Sequence, residues 1–165
     1  ISASYIPAIE KGIRNVMKEG VLAGFPIHSI SVSVYDGKEH PVDSKPIAFE
    51  TAGREAFKLA FAEAGPVLEE PICMAKIVVP EENMGDIIGD LNTRRARIMG
   101  MDTDHGESTV TAMVPLAEMI RYTTQLRSMT GGRGTFDLEV SSYEVVPPHI
   151  TQEVIAARAK DKKEE

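Results

Sequence analysis

Ile72-Cys-Met-Ala-Lys-Ile-Val-Val-Pro80 decides the fold of the second half of the chain. The run is apolar on both faces apart from Lys76, which predicts a central β-strand. Pro80 has no N–H to give to a ladder and ends it. Glu81 and Glu82 follow where a helix N-terminus favours negative charge, and Met84, Ile87, Ile88 and Leu91 then recur at i, i+3, i+4 and i+7. Arg97–Met101 and Thr109–Val114 predict two strands around a turn at Asp102–Ser108. Pro115 opens a second helix, with Leu116, Met119, Ile120 and Thr123 on one face and Gly131-Gly132 closing it. Phe136, Leu138 and Val140 alternate with Asp137, Glu139 and Ser141 in a last strand. Strand, helix, strand, strand, helix, strand is the ferredoxin-like βαββαβ pattern.

Upstream the pattern is mixed α and β. Residues 5–20 read as a helix, with Pro7 in its first turn and Ile9, Ile13, Val16 and Met17 on one face. Gly20 and Gly24 are stop signals. Ile30, Val32 and Val34 alternate with Ser29, Ser31 and Ser33, which predicts a strand with one wet face. Asp36-Gly37 is a turn dipeptide, and Lys38–Asp43 carries short strand character. A long helix follows to about Ala64, capped by Asp43 or Ser44, with Pro46 in its first turn. Ala48, Ala52, Ala56, Ala60 and Ala64 recur every four residues beside Phe49, Phe57 and Phe61, the spacing of a helix lying close on a sheet. Gly65-Pro66 ends it, the domain boundary falls near Leu68–Pro71, and Thr151–Glu165 reads as a helical tail that frays.

The chain has 165 residues, 18 Lys and Arg against 25 Asp and Glu, and a net charge of -7. That balance excludes a general basic coat for nucleic acid, and 42% apolar content excludes disorder over most of the length. One cysteine excludes an internal disulfide framework and a Cys-based zinc site. No apolar run approaches the ~18 residues of a membrane span. The chain starts at Ile1 without a leader pattern, and it reads as a fragment of something longer from a reducing compartment.

Catalytic chemistry finds little support. The one Gly-Lys pair, Gly37-Lys38, has Val32 where a P-loop needs its leading glycine. Asp102, Asp104 and Gly106 echo a calcium loop, but the later ligand positions are wrong, and a hairpin turn is the better reading. Cys73 lies inside an apolar strand, so a buried structural thiol outweighs a nucleophile. His40 sits in the polar connection Asp36-Gly-Lys-Glu-His-Pro-Val-Asp-Ser44, where composition alone favours a plain exposed loop histidine. Arg94, Arg95 and Arg97 cluster at a helix end, and Arg133 stands among Gly131, Gly132 and Gly134. These arginines fit a solvated face or an RNA-contacting face equally well. Residues 72–140 hold seven Arg/Lys against ten Asp/Glu, so any RNA contact is local.

Tyr5-Ile-Pro-Ala-Ile-Glu-Lys-Gly12, Gly20-Val-Leu-Ala-Gly24, Asp43-Ser44, Ala52-Gly53, Gly85-Asp-Ile-Ile-Gly-Asp-Leu-Asn92, Arg94-Arg95, Val114-Pro-Leu-Ala-Glu-Met119 and Leu126-Arg-Ser128 together resemble the C-terminal part of translation elongation factor G, over roughly residues 5–150. Ser128-Met-Thr-Gly-Gly-Arg-Gly134 and Val145-Val-Pro-Pro148 look more like the family's paralogues than its housekeeping member. The resemblance implies that residues 1–68 are the later part of domain IV, a partial lobe like ribosomal protein S5 domain 2. Residues 69–148 would be the ferredoxin-like domain V, and residues 149–165 a tail helix. It implies a ribosome-binding piece of a translational GTPase that promotes translocation of tRNA and mRNA. GTP and magnesium would belong to a domain outside this chain, which itself would carry no catalytic residue, cofactor or metal.

By position, His40 matches the histidine of the family's decoding-site loop, although Pro41 stands where the family often has an acidic residue. Gly37, Lys38 and Ser44 flank it as ribosome contacts, and Arg94, Arg95, Arg97 and Arg133 become rRNA contacts. The expected setting is a cytoplasmic monomer on the ribosome, with neither DNA nor membrane as a partner. The alternative, from another class, is a ferredoxin-like regulatory module that binds a small ligand.

Overall fold

In the computed structural model, which describes residues 1–164, the elements run α1 (Ile6–Glu19), α2 (Pro46–Glu63), β1 (Glu69–Pro80), α3 (Met84–Thr93), β2 (Arg97–Asp104), β3 (Glu107–Pro115), α4 (Tyr122–Thr130), β4 (Thr135–Val145) and α5 (Pro148–Glu164). Short 3-10 turns precede α1, α3 and α4, at Ala3–Tyr5, Glu81–Asn83 and Leu116–Met119. Two units result: Ile1–Leu68 with the segment from Pro147 onward, and Glu69–Val146.

The first unit is a helix-on-helix packing. Pro7 lies in the first turn of α1, and Ile9, Gly12, Ile13 and Val16 turn inward. They meet Phe49, Gly53 and Phe57 of α2, while Tyr5 stacks on Phe49 with ring centroids 4.2 Å apart. The helices touch backbone to backbone at their glycines. A Cβ built on Gly12 would lie 2.2 Å from the Glu50 carbonyl oxygen, and one on Gly53 3.0 Å from that of Ile9. The alanine ladder does not make this contact, because Ala52, Ala56, Ala60 and Ala64, like Ala48, are all exposed. The inward row is Phe49, Gly53 and Phe57, and it packs on a helix rather than a sheet.

Three further expectations are corrected here. Residues 29–35 form no strand: a strand exists through its ladder, and no described segment pairs with this one, so Ile30, Val32 and Val34 stay 40%, 45% and 45% exposed. Lys38–Asp43 is also irregular, ending in a turn at Pro41–Asp43. The N-cap of α2 is Lys45, with no side-chain cap, because the Ser44 hydroxyl accepts from the His40 N–H at 2.8 Å instead. The tail helix begins at Pro148, Arg158 lies over the Phe25 ring at 4.6 Å, and Glu165 lies outside the described residues.

The second unit is a four-stranded antiparallel sheet in the order β2-β3-β1-β4, the ferredoxin-like arrangement. β1 is central. Its residues Ala75, Ile77 and Val79 join Val110, Ala112 and Val114 of β3 beneath Ile87 and Leu91 of α3 and Tyr122 and Leu126 of α4, all at most 1% exposed. Lys76 stands on the opposite face, directly across from Thr111 and Asp137. The strand reads as two-sided because Met74 and Val78 on that face are half-buried by their neighbours. The first and last strands close the unit side by side, with Glu69 opposite Val145.

Two boundaries move. The β2–β3 turn is only His105-Gly106, with φ of 49° and 83°, the left-handed pair whose twist matches a hairpin. The helix expected from Pro115 is split, because Arg121 is left-handed at φ 65° and resets the helical phase before α4. Met119, Tyr122, Leu126 and Thr130 therefore face the core, whereas Leu116, Ile120 and Thr123 are exposed. Gly131 ends α4 in the left-handed region, and the Gly132 N–H donates to the Arg127 carbonyl at 2.9 Å.

Candidate nucleic-acid interface

The connection Asp36–Lys45 is exposed but internally tied. The Gly37 N–H donates to the side chain of Asp36 at 2.7 Å, and Gly37 lies against the Ile1 side chain. Glu39 is held by the N–H and hydroxyl of Ser2, contacts that keep its carboxyl below the usual range. His40 and Ser44 bracket a turn: the His40 N–H donates to Ser44 Oγ, and the Ser44 N–H returns to the His40 carbonyl at 3.3 Å. The Tyr5 hydroxyl donates to the Ser44 carbonyl at 3.2 Å, fastening the turn to the start of α1. Lys38 and Lys45 stand on either side with no ion pair among the described residues. The loop thus presents one imidazole and two free ammonium groups to solvent from a fixed backbone.

The arginine cluster is placed differently. Arg94 Nε donates to Asp90 at 2.7 Å, its Nη1 to the Glu118 carbonyl at 2.6 Å, and its guanidinium lies 4.9 Å from the Tyr122 ring centre. Arg95 forks onto Glu70 at 2.6 and 3.0 Å and reaches Glu118 Oε1 at 3.0 Å. Hydrogen bonding to Glu70 raises the Arg95 pKa above that of an ordinary arginine, burial opposes this, and Glu118 adds to it. The fork also holds Arg95 at φ 58°, where it turns the chain out of α3 into β2. Arg97 pairs with Glu144 at 2.7 Å across the sheet. Arg94 and Arg95 are therefore internal ties between α3, β1 and the 3-10 turn before α4. Arg133 remains 58% exposed, donates to the Thr130 carbonyl, and pairs with Glu82 at 2.6 Å.

The free cations of this unit lie elsewhere. Arg121 and Arg127 are exposed at the two ends of α4, with no ion pair among the described residues. The helix dipole favours Arg127, which lies in the last turn, but opposes Arg121 at the N-terminus. Arg121 is also left-handed, so fold stability does not account for it. Its neighbours Thr123, Thr124, Gln125 and Ser128 are exposed and polar. Sequence reasoning missed this face, yet a signal was present: Met119–Phe136 contains Arg121, Arg127 and Arg133 and no acidic residue, in a chain that is acidic overall. Among the described residues no group of three or more His, Cys, Asp or Glu is placed to hold a metal ion, and no helix is long and apolar enough to cross a membrane.

Comparison with known proteins gives a consistent result. The family model for elongation factor G domain IV matches residues 1–65, and that for the elongation factor G C-terminus matches residues 67–154. The chain is 49% identical over 158 residues to elongation factor G of Aquifex pyrophilus, covering 96% of this chain and 23% of that protein. It also matches a crystal structure of a protein from Thermus thermophilus with a TM-score of 0.78 and 47% identity, covering 97% of this chain and 24% of that one. The chain spans about a quarter of the length of these relatives. None of these matches supports the small-ligand regulatory alternative.

Proposed function

The chain belongs to the elongation factor G family, and from that premise we propose that it is the ribosome-facing C-terminal part of a translational GTPase that promotes movement of tRNA and mRNA. The observation that carries the reading is the match to both family models in order, over residues 1–65 and 67–154. In this reading residues 1–68 supply the decoding-site arm and residues 69–148 the large-subunit rRNA contact. The work of this part is mechanical: it occupies space and contacts RNA, and it makes and breaks no covalent bond.

His40, Lys38 and Lys45 are the groups for tRNA or rRNA in the first unit, with Gly37 and Ser44 shaping the loop that carries them. Arg121, Arg127 and Arg133 are the corresponding groups in the second. Arg94 and Arg95 support that surface from within, because they are part-buried and tied to Asp90, Glu70 and Glu118, whereas Arg97 is as exposed as Arg133 and, like it, paired with one glutamate, and it joins the contacting groups. GTP and magnesium belong to the parent's nucleotide domain. The residues present do not fit them: Gly37-Lys38 lacks the glycine-rich frame of a phosphate loop, and its glycine N–H is taken by Asp36.

The test joins the chain to its GTPase domains and measures ribosome-stimulated GTP hydrolysis and single-turnover translocation. His40→Ala is expected to slow translocation by about tenfold or more, equivalent to about 1.4 kcal/mol in the barrier, and to leave GTP hydrolysis unchanged. Wild-type translocation by a variant combining His40→Ala, Arg121→Gln, Arg127→Gln and Arg133→Gln would overturn the assignment.

A further inference from the structure

We propose that the turn Pro41–Ser44 fixes the tautomer of His40, holding Nδ1 inside the loop as an acceptor and presenting Nε2–H outward as a donor for an RNA oxygen. The outward half rests on the reading of this loop as RNA-facing. The inward half rests on geometry alone. Nδ1 receives the backbone N–H groups of Val42 and Asp43, each at 3.3 Å. A ring nitrogen that accepts must keep its lone pair, so the proton of the neutral imidazole sits on the other nitrogen.

The residue cannot easily turn away. Its own N–H is held by Ser44 Oγ at 2.8 Å, its carbonyl by the Ser44 N–H, and Ser44 in turn by the Tyr5 hydroxyl at 3.2 Å. The side chain is still 65% exposed, and Nε2 has no partner in the loop. The outward edge is therefore a single, oriented N–H, which matches the acceptors of a nucleic-acid backbone, phosphate and sugar oxygens. Pro41 helps by fixing one backbone angle at the start of the turn.

The Asp43 carboxylate stands beside the same ring nitrogen. Its Oδ2 lies 3.3 Å from the same Nδ1, a contact that is favourable only when that nitrogen carries a proton. Protonation would turn Nδ1 into a donor to Asp43 and release the Val42 and Asp43 N–H groups.

The test uses nuclear magnetic resonance on the uniformly nitrogen-15-labelled chain, with no ribosome present. The expected ring spectrum of the neutral imidazole is that of the Nε2–H tautomer. The Val42 and Asp43 amides should exchange about fivefold more slowly than in His40→Gln, which has no acceptor at the Nδ1 position. His40→Asn, whose side-chain oxygen stands in for Nδ1, should restore slow exchange. An Nδ1–H ring spectrum, or exchange at the His40→Gln rate in wild type, would overturn the proposal.

The joined parent protein separates the two halves. His40→Gln keeps a group at the Nε2 position and should translocate faster than His40→Asn. Equal, wild-type rates with the expected ring spectrum would sink the RNA-facing reading and leave the tautomer standing.

Discussion

Replacing Gly12 with alanine tests the packing of the first unit most directly. The new methyl carbon would sit 2.2 Å from the Glu50 carbonyl oxygen and 3.2 Å from Arg54 Cγ. The first of these neighbours is backbone, which cannot rotate aside, so α1 and α2 must separate. Overpacking of this kind costs about 1–3 kcal/mol, and relieving glycine inside a helix returns about 1 kcal/mol. Because the closest contact is to main chain, the upper part of the range applies, leaving a net loss of about 1–2 kcal/mol. For a unit of this size that lowers the midpoint by about 5–15 °C. Calorimetry of the chain, with circular dichroism to confirm retained helix, measures the shift. Ala52→Leu is the control: Ala52 is exposed, and the change should stay within about 0.5 kcal/mol. A Gly12→Ala midpoint within about 2 °C of wild type, or a larger loss from Ala52→Leu, would refute the glycine-mediated contact.

Other outcomes follow from the second unit. Burial raises Tyr122 from the ordinary 10.0 to about 12, so folding favours its neutral form, and that stability is complete below pH 10. About 2.7 kcal/mol should be lost as pH rises from about 10 through about 12, and Tyr122→Phe should flatten that part of the alkaline unfolding profile. Burial also pushes the Cys73 thiol up, so a chromogenic disulfide reagent should label it only when denaturant unfolds the sheet; rapid labelling of native chain would contradict its 1% exposure. Arg95→Ala leaves Glu70 and Glu118 without their shared partner and should cost about 1–3 kcal/mol in urea unfolding, whereas an unchanged urea midpoint would mean the network is ornamental. Arg121→Gln and Arg127→Gln should each reduce the salt slope of binding to an rRNA duplex by about 0.9.

The sheet of the second unit could be anticipated because its information is local. Ile72–Val79 needs only its own side chains to read as a central strand, and Ile87 and Leu91 fall on one helical face without reference to the rest. Misreadings arose where the deciding partner is distant or missing from the pattern. Ile30, Val32 and Val34 alternate as a strand does, but alternation cannot supply a neighbour. The alanine ladder and the Phe49, Gly53, Phe57 row share a spacing of four, and only the facing Gly12 shows which one packs. The ion pairs of Arg95 and Arg97 are invisible in sequence because Glu70, Glu118 and Glu144 lie 23 to 47 positions away. Arg121 escaped notice because a left-handed arginine breaking a helix has no periodic signature.

The pairing of Glu69 with Val145 means that the chain enters and leaves the second unit through neighbouring strands. Facing residues in such a ladder are about 5 Å apart, a gap that one or two residues span. Residues 69–146 are therefore a cassette in the gene. They can be excised and expressed alone, or the Glu69 and Val145 ends bridged by one or two residues while the hairpin turn at His105-Gly106 is opened to create new ends.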